Sequence, residues 1–381
     1  MFDIRKKPFI VFWELTRACM LACKHCRAKA QKKRHPNELN TEEAFKVIDM
    51  LLEFGRPYPL IVITGGDPLI RDDLFEIIEQ ASSKMRVAVA FSGTPLANKE
   101  KIEMLKDCGA ARVAISIDGS KPEIHDNFRG VKGTFETSMR IIDDANEIGL
   151  PVQINTTVTT FNIHDLPEMV KLCLNKKVVL WDVFFVVPTG RAKAEYMPTS
   201  QQFEDILCWL YDVSKFTGLN IKSSAACHLR RIEFMRDRDL MPKTGKLYEE
   251  LLEKLEKKEE GEAKIISGKR SLARDGIGRM MGITDGRGMF FISHVGEVYP
   301  SGFLPIVAGN LRESDLMEIY MKSKLFVDLK DPEKLKGKCG KCEFRYLCGG
   351  SRARAYAVYG DYLAQEPRCI YQPGKFDLIK L

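Results

Sequence analysis

The sequence predicts an α/β fold built on a curved parallel sheet, open or barrel-like. Two observations lead to it: short β-rich runs recur along the first half of the chain, and helical patterns lie between them. The runs are apolar almost throughout, as expected when both faces of a parallel sheet are covered. Six such units imply right-handed crossovers, with an active site at the C-terminal ends of the strands. The predicted strands are Phe9–Leu15, Leu60–Thr64, Arg86–Phe91, Arg112–Ile117, Pro151–Val158 and Val179–Val187.

The helices between these strands follow from apolar residues at helical spacing. The clearest is Thr41–Phe54, where Asn40 and Glu43 form the pattern of a capping box and Gly55 ends the helix. The same periodicity predicts the other helices, at Asp73–Ser82, Asn98–Cys108, Thr134–Ile148 and Asp165–Asn175.

The pattern changes after residue 200. A helix is predicted over Gln201–Phe216, followed by a highly charged segment, Arg230–Arg270, whose mixed-charge run indicates a solvated helix rather than a partner site. A β-hairpin is predicted over Met289–Tyr299 and a helix over Ser314–Lys322. We therefore expect a barrel region (1–220), a charged helical connector (221–285) and a small C-terminal domain (286–381).

Composition excludes several classes of protein. The 381 residues carry 59 basic and 52 acidic side chains, a net charge of +7, and 45% are apolar, which excludes wholesale disorder. No apolar run approaches the ~18–20 residues that span a bilayer. No concentrated basic stripe with interleaved aromatic residues is present either. We expect a cytoplasmic protein with neither a membrane nor a nucleic acid as partner.

The cysteines indicate metal chemistry. Eleven are present, and Cys19, Cys23 and Cys26 form a Cys-x3-Cys-x2-Cys motif directly after the first predicted strand. Three thiolates can hold a cubane iron–sulfur cluster and leave one iron open to an external ligand. The alternative is a zinc site, which would need a fourth protein ligand, and His25 is the nearest candidate.

A second group of cysteines lies near the end of the chain. Cys339, Cys342, Cys348 and Cys369 supply four thiolates, enough to ligate a cubane cluster completely. A zinc ribbon would use the same number of ligands, and the spacing alone leaves both open.

Taken with further motifs, the N-terminal cysteines resemble the radical S-adenosylmethionine (SAM) superfamily. The cysteine motif has the family's CxxxCxΦC form, with His25 in the aromatic position, and the stretch from Gly65 to Pro68 is similar to its glycine-rich GGE/GGD-P motif. Polar residues follow the other strands in the family's order. The resemblance assigns SAM contacts to His25, Gly65, Gly66, Asp67, Pro68, Ser92, Ser116, Asp118, Asn155 and Val187.

The resemblance implies a partial (β/α)6 barrel whose cysteine motif holds a catalytic 4Fe–4S cluster. SAM bound to the open iron would be cleaved reductively to a 5′-deoxyadenosyl radical, which removes a hydrogen from the substrate. A ferredoxin or flavodoxin is the implied electron donor. The C-terminal cysteines are similar to a SPASM or twitch extension, but Ser301 and Ser351 stand where a full SPASM domain has cysteines. One auxiliary 4Fe–4S cluster, rather than two, is therefore predicted.

The substrate is less well specified. The run Cys348–Tyr356 is most similar to enzymes of haem d1 and alternative haem biosynthesis, which implies a tetrapyrrole whose side chains are decarboxylated or oxidised. Candidate partners for its carboxylates are Arg129, Arg191, Arg230 and Arg231, and Cys227 with His228 could bind a metal. The alternatives are a maturase of a peptide or peptide-derived cofactor, similar to the pyrroloquinoline quinone maturases, and a non-catalytic iron–sulfur electron carrier.

Overall fold

The computed structural model describes residues 3–240, 242–256 and 282–376, and these form a curved, mostly parallel sheet covered by helices. Strands β1 to β7 follow one another in chain order, every neighbouring pair is parallel, and the sheet is barrel-like, which confirms the predicted fold class. The strands are β1 (Ile10–Glu14), β2 (Leu60–Thr64), β3 (Val87–Phe91), β4 (Arg112–Ser116), β5 (Val152–Val158), β6 (Leu180–Phe185), β7 (Ile221–Ser224), β8 (Met289–Ile292), β9 (Glu297–Tyr299) and β10 (Gly309–Asn310).

The predicted helices form at nearly the expected places. Asn40 caps the first of them, and Glu43 completes the capping box by accepting from the Asn40 backbone N–H at 2.9 Å. The α-helices are α1 (Thr41–Leu52), α2 (Leu74–Ser82), α3 (Lys99–Asp107), α4 (Pro122–Arg129), α5 (Thr134–Glu147), α6 (Leu166–Asn175), α7 (Ser200–Thr217), α8 (His228–Arg236), α9 (Lys246–Glu256), α10 (Leu316–Lys322), α11 (Lys324–Leu329), α12 (Gly337–Lys341) and α13 (Arg352–Tyr359).

The charged connector is only partly as predicted. Helix α9 is not solvated all round, because Leu247 and Leu251 are buried against the main core while Glu250 pairs with Lys254 at its surface. The rest of the mixed-charge run, from residue 257 onward, lies outside the described residues. Helices α4 and α8 and strand β7 were not predicted, because each is short and its apolar pattern is interrupted by charged or small residues.

The predicted hairpin is formed by β8 and β9, with Gly296 at its turn. Strand β8 also pairs in parallel with β1, from Ile10 opposite Met289 to Trp13 opposite Ile292. The hairpin therefore continues the barrel sheet on the side of β1 away from β2. The proposed division into three regions remains a prediction.

A buried ion pair joins the C-terminal helix α13 to the barrel. Arg354, which is 0% exposed, pairs with Glu366 at 3.1 Å and donates to the carbonyls of Phe185, the last residue of β6, and of Ala225, directly after β7. Glu366 is almost fully buried too, at 1% exposed. Burial raises the pKa of Glu366, whereas Arg354 and His228 lower it. The lowering effects together are larger, so the pKa lies below its ordinary value.

We expect Arg354→Leu to destabilise the protein by about 3–5 kcal/mol, because it leaves the Glu366 carboxylate buried without its cation. Urea unfolding of the cluster-loaded protein measures this loss. The double variant with Glu366→Gln should recover part of it, and a single variant as stable as the wild type would contradict the assignment.

Within the described ranges, none of the helices combines the length and the apolar character that crossing a membrane requires.

Candidate active site

The cysteine motif lies on the loop that follows β1, at the C-terminal end of the barrel. Cys19 and Cys23 are buried, Cys26 is half-buried, and all three are free thiols. Backbone hydrogen bonds fix the loop at both ends: the N–H of Cys19 donates to the Gln31 carbonyl at 2.7 Å, and the carbonyl of Cys26 accepts from Arg191 at 3.0 Å. The loop is therefore held in one shape by the protein itself.

Gly65 and Gly66, which follow β2, pack directly against this loop. A Cβ atom on Gly66 would lie 2.2 Å from the Ala18 carbonyl oxygen, and one on Gly65 would lie 2.7 Å from the Thr16 carbonyl oxygen. The Gly66 N–H donates to that Thr16 oxygen at 2.7 Å, and the Asp67 N–H donates to the Ala18 oxygen at the same distance. The paired glycines are thus required by the close approach of two backbone segments.

The three sulfurs have the surroundings expected of cluster ligands. Backbone N–H groups of Leu21 and Ala30 point at the sulfurs of Cys19 and Cys26 at 3.4 Å, and the Arg129 guanidinium lies 3.7 Å from the sulfur of Cys23. Donors of this kind stabilise thiolate ligands. Burial raises the pKa of the metal-free Cys19 thiol to about 12 and also raises that of Cys23.

The donor set fits an open-iron cubane, whose three thiolates come from one short loop. In the described part of the chain, no three His, Cys, Asp or Glu side chains lie close enough together to coordinate a single metal ion.

Most of the predicted SAM contacts surround one cleft beside these sulfurs. The cleft has an empty volume of about 1030 Å³, part of it open to solvent. Ser116, the last residue of β4, is the register partner of Asn155 in the middle of β5. The predicted residues that line the cleft are Cys19, Cys23, His25, Cys26, Gly65, Gly66, Ser92, Ser116, Asn155 and Val187.

Three predicted contacts do not line this cleft. Asp67 is fully buried and accepts from the Thr94 hydroxyl at 2.5 Å and from the Leu69 N–H at 3.1 Å, so it caps the short turn that contains Pro68. Asp118 is buried behind the wall and accepts from the Thr157 N–H at 2.7 Å. In this structure these residues shape the cleft from behind.

Asp118 belongs to a buried charged network beneath the cysteine loop. Its carboxylate pairs with Arg129 at 2.6 Å and lies 3.9 Å from the His25 ring, which stacks on Phe128 at 4.3 Å. Burial lowers the pKa of His25 to about 4. The network fixes Arg129, whose other end reaches the hydroxyl of Ser92 at 3.4 Å and the sulfur of Cys23.

A second cavity occupies the barrel interior below the cleft. Its empty volume is about 1310 Å³, and it shares wall residues with the cleft, so the two spaces meet inside the barrel. Four aromatic side chains line it, Phe12, Phe184, Phe291 and Phe303, together with small and polar residues. The shared residues are Arg27, Thr64, Ala90, Asn155, Phe184 and Phe303.

Four cationic side chains line this barrel cavity: Arg27, Arg112, Lys222 and Arg230. Lys222 is neutralised by Asp182 at 2.8 Å, and Arg27 pairs with Glu14 at 2.9 Å. Arg230 donates to the Ile283 carbonyl at 2.6 Å and forms no ion pair with any described residue. The cavity can accept a large apolar molecule that carries carboxylates.

The C-terminal cysteines lie near the barrel cavity, because Cys348 interacts with Cys339, Cys369 and also Cys227, which lines that cavity. The sulfur of Cys339 accepts from the Glu366 N–H at 3.2 Å, and the sulfur of Cys348 accepts from the Gly350 N–H at 3.4 Å. Cys342, Cys348 and Cys369 pack against one small apolar cluster, and burial raises the pKa of Cys369 to about 12. The four thiols therefore lie near one another in surroundings that resemble those of the N-terminal three.

The two serines in place of cysteines make local turn and cap bonds. Ser351 is the N-cap of α13 and accepts from the Arg354 N–H at 3.2 Å, while the Ser301 hydroxyl accepts from the Phe303 N–H at 3.3 Å. Both are buried.

The remaining predicted partners fall into two groups. Arg191 and Arg129 line the cleft, and Arg230 lines the barrel cavity, but Arg231 is buried in an ion pair with Glu204 and reaches neither. Cys227 lines the barrel cavity, whereas His228 is buried behind it.

Sequence reasoning missed Arg27 and the aromatic wall. Arg27 directly follows the last cysteine of the motif, which places it at the site, but nothing in the sequence pairs it with Glu14 or locates it between two cavities.

A model of the radical SAM superfamily matches residues 13–173. An AdoMet-dependent heme synthase of Oleidesulfovibrio alaskensis is 40% identical over 369 residues, which cover 96% of this chain and 88% of that protein. Another, of Methanosarcina barkeri, is 38% identical over 98% of this chain and 100% of that protein. The crystal structure of Streptococcus suis SuiB bound to S-adenosylmethionine shares the fold with a TM-score of 0.69 at 15% identity, covering 96% of this chain and 78% of that one.

Proposed function

Because this chain belongs to the radical SAM superfamily, and is therefore a radical SAM enzyme, we propose that it converts propionate side chains of an iron porphyrin into the vinyl groups of haem. The observation that carries the proposal is the barrel cavity, which is large and is lined by four phenylalanine rings and by more cationic than acidic side chains. A porphyrin is a wide apolar plane that carries several carboxylates. The similarity to AdoMet-dependent heme synthases over nearly the whole chain supports the same substrate class.

The family implies a 4Fe–4S cluster and SAM. We propose that Cys19, Cys23 and Cys26 hold the cluster and that the cleft holds SAM, with Gly65 and Gly66 leaving room beside it. When bound, these groups supply the 5′-deoxyadenosyl radical, which removes a hydrogen atom. The walls of the cleft and of the barrel cavity would limit the access of water to such a species once SAM and the substrate fill both spaces.

The reaction balances as an oxidative decarboxylation. Hydrogen removal from the CH₂ next to the porphyrin ring leaves a carbon radical, and the hydrogen ends in 5′-deoxyadenosine. The bond to the carboxylate carbon then breaks, CO₂ leaves, the C=C bond of the vinyl group forms, and one electron must leave the substrate. The chain's part is to hold the side chain at the meeting point of the two cavities, around Asn155 and Phe303.

We propose that the C-terminal thiols hold the group that accepts this electron. Cys339, Cys342, Cys348 and Cys369 would hold one auxiliary 4Fe–4S cluster, and Cys227 stands in the wall between them and the barrel cavity. The donor for SAM cleavage would be a ferredoxin or flavodoxin of the cytoplasm.

The test is an anaerobic assay of the reconstituted, dithionite-reduced enzyme with SAM. We expect iron-coproporphyrin to stimulate 5′-deoxyadenosine formation and to lose CO₂ and two hydrogens for each side chain that reacts. Cleavage of SAM that iron-coproporphyrin and its sirohaem-derived relatives leave unchanged would overturn the tetrapyrrole proposal and favour a peptide substrate. No cleavage with both clusters intact would favour the electron-carrier alternative.

For the auxiliary site, we expect Cys369→Ala to keep SAM cleavage but to lose porphyrin turnover, because the electron from the substrate has no acceptor. About four of about eight irons should remain. Iron analysis and parallel assays of 5′-deoxyadenosine and vinyl products measure this. A variant that retains all its iron would refute Cys369 as a ligand.

A further inference from the structure

Arg27 occupies the boundary between the cleft and the barrel cavity. It lines both spaces, and its backbone directly follows the cluster cysteine Cys26. It is the one cationic residue among the wall residues that the two spaces share. A carboxylate bound to it would lie between the site of the radical and the bulk of the substrate.

The guanidinium of Arg27 is held in place by three neighbours. Its Nη1 donates to Glu14 at 2.9 Å, its Cζ lies 4.4 Å from the centre of the Phe291 ring, and the absence of a side chain at Gly302 leaves the space in which its Nε lies. Glu14 is itself fixed, because its other oxygen lies 2.9 Å from Nδ1 of His294. A pre-organised guanidinium loses little freedom when it binds a ligand.

One side of this guanidinium remains available. Within the described ranges, Glu14 is the only hydrogen-bond partner of the Arg27 side chain, which leaves Nε and Nη2 without a protein acceptor. The side chain is 19% exposed, and the spaces next to it are the cleft and the barrel cavity. Arginine presents two parallel N–H groups that match the two oxygens of a carboxylate.

We propose that Arg27 binds the carboxylate of the propionate side chain that reacts and so selects which part of the substrate faces the radical. The inference rests on the proposed function. In a propionate, one CH₂ separates the carboxylate from the carbon that loses hydrogen, so anchoring the carboxylate at this boundary places that carbon beside the cleft. Arg230, which lines the barrel cavity but not the cleft, suits a carboxylate that does not react.

A binding experiment without SAM or reductant tests this directly. The cluster-loaded enzyme is titrated by absorbance with ferric iron-coproporphyrin and with ferric iron-mesoporphyrin, which carries ethyl groups in place of the two reacting propionates. We expect the wild type to bind coproporphyrin at least about tenfold more tightly. Arg27→Gln should bind the two porphyrins alike, and Arg27→Lys should keep part of the preference.

Arg230→Gln is the matched control, because it makes the same change at an arginine that lines the barrel cavity but not the cleft. It should weaken both porphyrins similarly and leave the preference intact. An Arg27→Gln protein that keeps its iron and still prefers coproporphyrin as strongly as the wild type overturns the proposal. If that variant loses its clusters, Arg27→Lys decides in the same way: an undiminished preference counts against Arg27.

A second measurement is the number of vinyl groups formed per 5′-deoxyadenosine. We expect Arg27→Gln to lower this ratio at least about tenfold while SAM cleavage continues, since the misplaced side chain escapes the radical. A merely structural role would lower both products together. A wild type that converts no porphyrin overturns the proposed function itself. A converting wild type whose Arg27→Gln variant keeps both preference and ratio overturns only the inference about Arg27.

Discussion

Cys23→Ala is expected to abolish 5′-deoxyadenosine formation while leaving the barrel folded. Cys23 is buried, and its thiol is the one of the three that the Arg129 guanidinium reaches, at 3.7 Å. Two remaining thiolates are too few to hold an open-iron cubane. The variant should keep only the iron of the proposed auxiliary cluster, about four atoms per chain, and should lose SAM cleavage with or without porphyrin.

The control for this change is Cys108→Ala. Cys108 ends α3 and packs against the main core far from the cleft residues, so its loss should leave iron content and activity close to the wild type. Iron analysis and product quantification after anaerobic reconstitution measure both variants. A Cys23→Ala protein that still cleaves SAM at a wild-type rate would be incompatible with the three-cysteine site.

Gly66→Ala should have the second-largest effect. The new methyl carbon would fall 2.2 Å from the Ala18 carbonyl oxygen and 2.7 Å from that of Arg17, and neither backbone atom can turn aside. The loop must therefore move as a whole, which also breaks the hydrogen bond from Gly66 to Thr16. Because a displacement of about 1 Å can cost ~10²-fold in rate, we expect at least that loss of SAM cleavage.

Gly149→Ala separates this effect from ordinary glycine replacement. Gly149 has a φ of +72°, but a Cβ atom there would meet nothing within 4 Å. Its substitution should cost roughly 1–2 kcal/mol of stability through backbone strain alone and leave activity unchanged. Thermal unfolding and the 5′-deoxyadenosine assay compare the two variants. Equal 5′-deoxyadenosine formation by the two variants would show that the close packing of Gly66 is not needed for activity.

The strands could be predicted from the sequence because both faces of the barrel sheet are buried, which makes each strand a continuous apolar run. Leu60–Thr64 was predicted to the residue, and the capping box at Asn40 formed as expected. Helix α4 was not predicted, because most of its eight side chains are polar or charged and its buried face includes Arg129 and His125. Periodicity cannot identify a helix whose inward-facing residues are charged groups that find partners only in the folded protein.

Partners that meet only in the folded protein also explain why some site residues were placed wrongly or missed in the sequence analysis. Asp67 and Asp118 carry motif positions, yet their carboxylates are turned away to Thr94, Thr157 and Arg129. Which way a side chain points depends on partners far along the chain, and a motif does not contain that information. Arg27 illustrates the point further, because its interaction with Glu14 and Phe291 depends on β8 lying beside β1.

That pairing of β8 with β1 has a consequence for the order of events during synthesis. Ile10 in β1 pairs with Met289 in β8, which is synthesised much later. One edge of β1 therefore stays unpaired until nearly 300 residues have been made. At ~5–20 residues per second, this takes on the order of tens of seconds. The cysteine loop begins directly after that strand, and the Phe291 wall beside it arrives equally late. We therefore expect the nascent chain to expose Cys19, Cys23 and Cys26 for most of translation, and the proposed iron–sulfur insertion to compete with closure of the barrel rather than follow it.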